Sequence, residues 1–304
     1  MAYGVQVTGP VVINGTTYDQ IEAQAFARGE KVIRMGAAGA IDPTFAGFIE
    51  FEPRFNFTTH MVSTFLAACG ISGLVLSGAG AVLYNHAVDL TTALRKTGGS
   101  HESLTIATGL VVPRQLSVQQ GQPAKLTFEI FGINAAGTTD PVVVSQTATL
   151  ASNNGIGELF KLAKVMVNGI ELEGVQEWTL DFGISVKVVK GSGALYPQLV
   201  YIEERKPKFT FKVNDDGAIA QIGLTGLPQS STDSVIYLRK MTANGTQEAD
   251  ASLVHMALTI DDGLWYVTDK GGSHPGELLS TVVCEPIYDG TNAIIAISTG
   301  VAIS

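Results

Sequence analysis

The side chains best suited to metal binding or nucleophilic attack are two cysteines and five histidines. Cys69 and Cys284 each lie in an apolar stretch, which is typical of buried free thiols. No two histidines have the i, i+4 or short-loop spacing of a zinc site, and neither cysteine has a second ligand nearby. The pattern therefore predicts no metal and no cofactor. The histidines are His60, His86, His101, His255 and His274.

Adjacent carboxylates and glycine-rich loops give no stronger sign of catalysis. The acidic pairs at 215–216 and 261–262 each precede a glycine, which is typical of turns. The glycine loops at 36–39 and 191–193 resemble parts of phosphate-binding loops, but a proline and a further strand follow where such a loop requires a helix. No Ser/His/Asp order and no nucleophile elbow is visible. We therefore predict that the chain is not an enzyme.

The sequence repeats itself at an interval of 154 residues. Between positions 11 and 57, twelve residues recur at that interval with no gap. Unrelated sequences of ordinary composition would match about three times over such a length. The repeated residues are mostly glycines, prolines and apolar residues, so the repeat copies a scaffold and no candidate catalytic group. The pairs are Val11/Val165, Asn14/Asn168, Gly15/Gly169, Gly29/Gly183, Val32/Val186, Gly39/Gly193, Ala40/Ala194, Pro43/Pro197, Glu50/Glu204, Pro53/Pro207, Phe55/Phe209 and Phe57/Phe211.

The repeat and the length of 304 residues predict two tandem duplicated domains, 1–152 and 153–304, because domains of about 150 residues are common. We call these the first and second halves. Each is expected to be mainly β, a β-sandwich or rolled sheet, with one short flanking helix. Each half opens with Asn-Gly between β-prone runs, at Asn14 and Asn168, which favours a type I′ hairpin.

Strand-forming patterns fill most of the remaining sequence. In 176–189, apolar and polar residues alternate with a period of two, which predicts one continuous strand. Short helices are expected at 59–69 and 215–222, each followed by a glycine. The turns at 134–140 and 289–292 are expected to close a final hairpin in each half.

A Leu-Arg-Lys triplet also occurs in both halves, here at an interval of 144 residues. The shorter interval predicts that the second half has lost about ten residues after its helix. Arg95, Lys96, Arg239 and Lys240 could be inter-subunit contacts, because a ring of repeated units needs the same group at each repeat. They could also be charged strand ends or salt-bridge partners within the chain, and the sequence leaves both readings open.

Composition excludes some classes of protein. A net charge of −9 argues against a nucleic-acid-binding protein, which would carry a basic face. Charged residues make up only 15%, against about 25% in typical soluble domains. So little charge favours a surface that is hidden in an oligomer, although a compact β protein with a Thr, Ser and Asn surface would also explain it. No signal peptide and no membrane segment is expected, because neither pattern occurs.

The order of features in each half resembles the tail tube proteins of tailed bacteriophages. The shared features are an Asn-Gly hairpin, a glycine loop followed by a proline, a Phe-x-Phe strand and one short helix. Tyr18-Asp19-Gln20-Ile21, after the first hairpin, is similar to the opening of several major tail tube proteins. The resemblance best covers the part from the hairpin to the Phe-x-Phe strand. Members of that family usually have one such domain and form six-fold rings.

The resemblance implies a virion structural protein, a tail tube subunit that is assembled in the host cytoplasm. Three copies with two domains each would form a pseudo-hexameric ring. Stacked rings would enclose a channel through which DNA passes without sequence-specific binding, and an acidic lumen would not retain the DNA. The loops at 36–43 and 70–80 would contact the next ring. Other tail proteins (tape measure, terminator and baseplate) would be partners.

Two alternatives stay open from the sequence. The first is a baseplate hub or other ring component of the tail tip, which would share the fold and differ in copy number. The second is a carbohydrate-binding β-sandwich adhesin, in which Trp178, Trp265 and Tyr266 would stack on sugars. Rings or tubes in electron micrographs would favour the tube, and a monomer that binds sugar would favour the adhesin.

Overall fold

The computed structural model shows a chain built mainly of antiparallel β-sheets, as the sequence predicts. The structure describes residues 4–39, 41–78, 80–89, 94–95, 101–149, 158–214, 216–224, 229–231, 233–242, 244–272 and 278–304. The domain boundary predicted at 152 lies outside these residues. Within them, no helix is long and apolar enough to cross a membrane.

The elements follow one another in a similar order in the two halves. The first half contains β1 (Gly4–Ile13), β2 (Thr16–Tyr18), β3 (Ile21–Ala27), β4 (Lys31–Met35), β5 (Phe45–Glu50), β6 (Arg54–Thr59), α1 (Val62–Cys69), β7 (Leu74–Leu76), β8 (Ala81–Asp89), β9 (Leu94–Arg95), β10 (His101–Ile106), β11 (Gly109–Gln119), β12 (Lys125–Gly132) and β13 (Val142–Ala148). The second half contains β14 (Leu159–Val167), β15 (Ile170–Glu171), β16 (Val175–Asp181), β17 (Ile184–Val189), β18 (Leu199–Arg205), β19 (Lys208–Val213), α2 (Asp216–Gln221), β20 (Gln229–Ser231), β21 (Ser234–Met241), β22 (His255–Ile260), β23 (Gly263–Gly272), β24 (Leu278–Pro286) and β25 (Ala296–Val301).

In the first half two sheets enclose an apolar core. One sheet has the order β13-β10-β8-β1-β2, and the other runs β7-β11-β12-β6-β3. Alternate side chains of each strand point inward, so Phe57 and Phe128 pack with their ring centroids 5.0 Å apart. Phe65 of α1 stacks on Phe128 at 4.4 Å and meets Tyr18 of the opposite sheet edge-on at 5.9 Å. The helix therefore ties the two sheets together.

The second half has the corresponding strand orders, β25-β22-β21-β14-β15 and β20-β23-β24-β19-β16. Its hydrogen-bonded ladders also keep the register. Ala25 faces Asn56 in the first half, and Thr179 faces Thr210 in the second, 154 residues later. The predicted Asn-Gly hairpins are present in both halves. Their asparagines have φ values of 47° and 50°, and each is followed by a glycine of positive φ, as a type I′ turn requires.

The two halves share one sheet. β11 of the first half pairs with β16 of the second, so that ten strands form a single sheet through both halves. Two separate hairpins, β4–β5 and β17–β18, project from this sheet, and each forms its own two-stranded ladder. We call these arm 1 (31–50) and arm 2 (184–205).

Several predicted boundaries are wrong. The strand predicted at 176–189 is broken after β16, because Gly183 has a φ of 56° and turns the chain out of the sheet into arm 2. The final hairpins are wrong too, since β12 and β13 belong to different sheets, as do β24 and β25. Helix α1 begins at Val62 and not at residue 59, because Thr58 and Thr59 still pair with β3. Part of the loop predicted at 70–80 forms β7.

The interval of 144 residues is also wrong. Val11 pairs with Leu83 of β8, and its counterpart Val165 pairs with Ile236 of β21, so these strands correspond at an interval of 153. The Leu-Arg-Lys triplets therefore occupy different places, β9 in one half and β21 in the other. Three matching residues cannot outweigh a whole ladder of backbone hydrogen bonds. Further identities at 154 are His101/His255, Leu104/Leu258, Thr105/Thr259, Ile106/Ile260, Gly109/Gly263 and Leu110/Leu264.

Candidate assembly interface

Strand β11 is shared between the two halves. Its first part pairs with β7 and its last part pairs with β16, where Ser117 lies opposite Thr179. An extra residue, Arg114, forms a β-bulge between the two parts. The carbonyl of Arg114 accepts a hydrogen bond from the Phe182 N–H at 3.1 Å. Because a bulge redirects its side chain, Arg114 points along the seam between the halves.

A buried carboxylate lies at this seam. Glu129 is 8% exposed and accepts hydrogen bonds from Arg114 Nε at 2.8 Å and Nη2 at 2.5 Å. Arg54 Nη1 lies 3.4 Å from its other oxygen. Both guanidinium groups lie over the Phe131 ring, at 4.9 and 5.6 Å from its centroid. Arg114 also donates to the carbonyl of Ile184 in arm 2. Since a buried charge is stable only when it is fully paired, this cluster fixes the halves in one arrangement.

A second group of charges continues from this cluster towards the arms. Glu52 lies 2.9 Å from Arg54 and 2.9 Å from Lys190 of arm 2. Lys190 also contacts Glu50 at 3.2 Å, and Glu50 contacts Lys31 at 3.1 Å. Hydrogen bonds from Lys31 and Lys190 lower the pKa of Glu50. Burial alone would raise the pKa of Glu52, but the bonds from Lys190 and Arg54 outweigh it and the pKa is lowered.

Arm 2 lies against the first half. The Tyr196 ring stacks on Phe51, with 5.1 Å between centroids, and the Phe51 N–H donates to the Leu195 carbonyl at 2.8 Å. The N–H groups of Leu195 and Tyr196 both donate to the Gly137 carbonyl, at 2.8 and 3.0 Å. Arm 2 is therefore held by aromatic stacking, backbone hydrogen bonds and the ion pairs of Lys190.

The second half also contacts helix α1. Glu158, which is buried just before β14, accepts a hydrogen bond from the Ser63 hydroxyl and one from the Thr64 N–H at 3.1 Å. Both donors lie in the first turn of the helix, where backbone N–H groups have no partner inside the helix and favour a carboxylate. Glu158 therefore stabilises the helix of the first half from the second.

The joined sheet has a polar face, which we define as the face opposite its apolar core. Hydroxyl groups form rows across it, and opposite charges are cross-strand neighbours. The pairs are Ser117/Thr179, Thr179/Thr210, Glu177/Lys212 and Asp181/Lys208. Thr58 and Thr127 hydroxyls hydrogen-bond across two further strands at 3.2 Å. The face therefore carries charges of both signs and many neutral hydroxyls.

The four predicted contact residues lie away from this seam. Arg239 forms an ion pair with Asp250 inside the chain, and the Lys240 N–H donates to His255 Nδ1 at 3.1 Å. Both belong to β21, in the sheet of the second half that does not join the first. The backbone of Arg95 pairs with Val88, and Lys96 lies outside the described residues. The inter-subunit role of these residues stays a prediction.

The residues considered for chemistry are spread through the fold. Cys69 and Cys284 are buried, and burial raises the pKa of both thiols, that of Cys69 to about 12. The described residues contain no group of three or more His, Cys, Asp or Glu side chains that could hold a metal. His255 is fully buried and its Nε2 bonds to the Ala249 carbonyl at 2.8 Å. Asp215 and His274 lie outside the described residues.

The sequence did not single out the residues that join the halves, although two of them have a recognisable signal. Glu129 is a lone carboxylate in the apolar run 126–131, a pattern that indicates a buried partner. Arg114 follows Pro113 inside a strand, and proline within a strand is typical of a bulge. Glu158 and Lys190 have no such signal, because their partners are 95 and 138 residues away.

Comparison of the chain with protein-family models gives no match. Comparison with curated proteins gives no significant match either. The relationship to a family therefore stays a proposal, and the geometry described above has to support it.

Proposed function

We propose that the chain consists of two tandem copies of one β-sandwich unit and assembles with itself into rings of a bacteriophage tail tube. The ladder between β11 and β16 carries this proposal. It joins two units of the same strand order head to tail, through different edges of each unit. A head-to-tail contact leaves the same two edges open at the ends of the chain, so it can repeat from copy to copy until a ring closes.

The size of the ring follows from the resemblance and the strand count. Six units per ring, as in tail tube proteins, require three copies of a chain with two units. From β23 to β3 the joined sheet has eight strands in each copy, so three copies would contribute twenty-four. Barrels of about 16–18 strands already leave an aqueous channel. A ring of this size would therefore enclose an open pore.

The polar face would line that pore, because the other face of the joined sheet packs on the apolar core. Its hydroxyl rows and its pairs of opposite charge, such as Glu177 and Lys212, would leave little net charge towards the lumen. DNA binds proteins mainly through the release of counterions by clustered cations. A face of balanced charge offers no such cluster, which supports passage of DNA without retention. The acidic lumen expected from net charge is not needed for this.

The adhesin alternative loses its support in the structure. Trp178 and Trp265 are at most 1% exposed, and Trp265 stacks on Phe211 at 5.3 Å. Neither ring is available to stack on a sugar. A baseplate hub or tail-tip ring would have the same geometry, and copy number per virion would separate it from a tube.

Negative-stain electron microscopy of the purified full-length chain tests the proposal. We expect rings with a central stain-filled pore, or tubes of stacked rings at high protein concentration. Compact particles of the size of one chain, at every concentration, would overturn it. One ring per virion would assign the chain to the hub, and many rings to the tube.

A further inference from the structure

We propose that β3 of one copy pairs with β23 of a second copy, in the register that β16 has with β11 inside the chain. We also propose that arm 1 then packs on the second half of that neighbour as arm 2 packs on the first half of its own chain. The partner is thus a second copy of this chain. The inference rests on the proposed function for self-assembly, and it adds the interface and its register.

The internal ladder serves as the template. In β11 a bulge at Arg114 separates the part that pairs with β7 from the part that pairs with β16. In β23 a bulge at Thr268, 154 residues later, separates the part that pairs with β20 from residues 269–272. The stretch after this bulge corresponds to the stretch of β11 that binds the other half.

Strand β3 corresponds to β16 and ends the joined sheet in the described part of the chain. Ser117 faces Thr179 in the internal ladder. Their counterparts are Gly271 and Ala25, which are both exposed. The same shift places Asp269 opposite Ala27. The proposed ladder therefore has a defined register, and a slip by one residue would turn every side chain of β3 to the wrong face.

The two arms differ in the way that a missing neighbour would cause. In arm 2, Val186 and Ile202 pack against the main core. Their counterparts in arm 1, Val32 and Phe48, are 49% and 60% exposed. Large apolar side chains that cluster on a surface mark a contact site. Arm 1 thus presents the surface that arm 2 buries against the first half.

The receiving surface on the second half is open as well. Ile133 of the first half packs against the core beside arm 2, and its N–H donates to the Thr108 carbonyl at 3.0 Å. Its counterpart Ile287 makes the same bond to Asp262 at 2.9 Å but is 48% exposed. Ile287 and Leu264 line a groove of about 440 Å³. A neighbour's Phe48 would fit here, as Ile202 lies close to Leu110, the counterpart of Leu264.

The contact between copies would lack the ion pairs of the internal seam. The counterparts of Arg114 and Glu129 are Thr268 and Val283, which cannot form a salt bridge. Apolar burial and backbone hydrogen bonds would therefore supply its stability. Both depend only weakly on salt, so assembly is expected to persist in high salt.

Disulfide cross-linking of the full-length chain tests the register. In the double variant Ala25→Cys with Gly271→Cys, we expect oxidation to give covalent oligomers on non-reducing gels. Ala23→Cys with Gly271→Cys is the matched control, since it places a thiol on the same face two residues away, beyond disulfide reach. Ser117→Cys with Thr179→Cys is the internal control and should bridge within one chain. The native thiols are buried and should stay unreactive.

The outcomes separate the two proposals. Covalent oligomers in the first variant, with none in the matched control, support the register. Rings in micrographs without this bridge, although the internal control bridges, overturn the register and leave the ring intact. A chain that stays monomeric in every assay overturns both the register and the proposed function.

A second variant tests arm 1 without a new thiol. We expect Phe48→Asp to lose ring assembly and keep the circular dichroism of the folded chain, because the change lies on an exposed surface. Leu253→Asp is the matched control, since Leu253 is also exposed but lies outside both proposed contacts; it should assemble like the natural chain. Assembly of Phe48→Asp at the natural level overturns the role of arm 1.

Discussion

Lys190 Nζ lies 2.9 Å from Glu52 Oε1, although 138 residues separate the two in the chain. The contact runs from arm 2 to the connection between arm 1 and β6. Lys190 is largely buried, so its charge is poorly screened by solvent. Together with the Arg114–Glu129 pair, it determines how one β-sandwich is held against the other.

Lys190→Met should lower the free energy of unfolding by about 1–2 kcal/mol, because Glu50 and Glu52 lose a shared, partly buried donor. Urea unfolding at neutral pH measures this loss. Lys206→Met is the control, since Lys206 is highly exposed and pairs only with exposed Glu204; its effect should stay within about 0.5 kcal/mol. Equal effects of the two changes would argue against a structural role of Lys190.

Stability should fall in acid through the same carboxylates. Glu50 and Glu52 both have a pKa below the ordinary value of 4.5, so their ionised forms are favoured in the folded chain. Their contribution is complete above that value and is lost as the pH falls through the lowered pKa values. Urea unfolding between about pH 6 and 3 should show this loss, and Lys190→Met should show a smaller one. The same pH dependence in both proteins would contradict the assignment.

Gly183 should resist substitution more strongly than other glycines of positive φ. Its φ is 56°, and a Cβ at this position would lie 1.9 Å from the Lys206 carbonyl oxygen. Gly183→Ala should therefore cost about 2–4 kcal/mol, or prevent folding. Gly193→Ala, at φ 77° with no atom within 4 Å, should cost about 1 kcal/mol. Thermal unfolding compares the two, and a similar loss in both would show that the close approach is unimportant.

Local signals in the sequence predicted local structure well. The turns at Asn14 and Asn168 follow from Asn-Gly chemistry, which needs no distant partner. The alternation around Trp178 correctly predicted a strand with one buried face. It could not show the break at Gly183, because the alternation continues through the glycine into arm 2. Only the approach of the Lys206 backbone makes that turn necessary.

The contacts between the halves could not be predicted in the same way. Nothing in β11 or β16 alone shows that Ser117 faces Thr179, since strand pairing over long distances depends on the whole sheet. The recurring Leu-Arg-Lys triplet drew attention to Arg95 and Arg239, which occupy different strands. Arg114 and Glu129, which join the halves, differ from their counterparts Thr268 and Val283. A search for repeated residues therefore passes over the residues that make one seam unlike the other.

The mass of the assembled particle tests the head-to-tail ring most directly. Native mass spectrometry of the full-length chain should give a species of about 96 kDa, three times the chain mass of 32.0 kDa, or multiples of it. A head-to-tail contact has no reason to stop at two copies, so a stable dimer should not accumulate. A chain that remains at the monomer mass, or stops at the dimer, would contradict the ring.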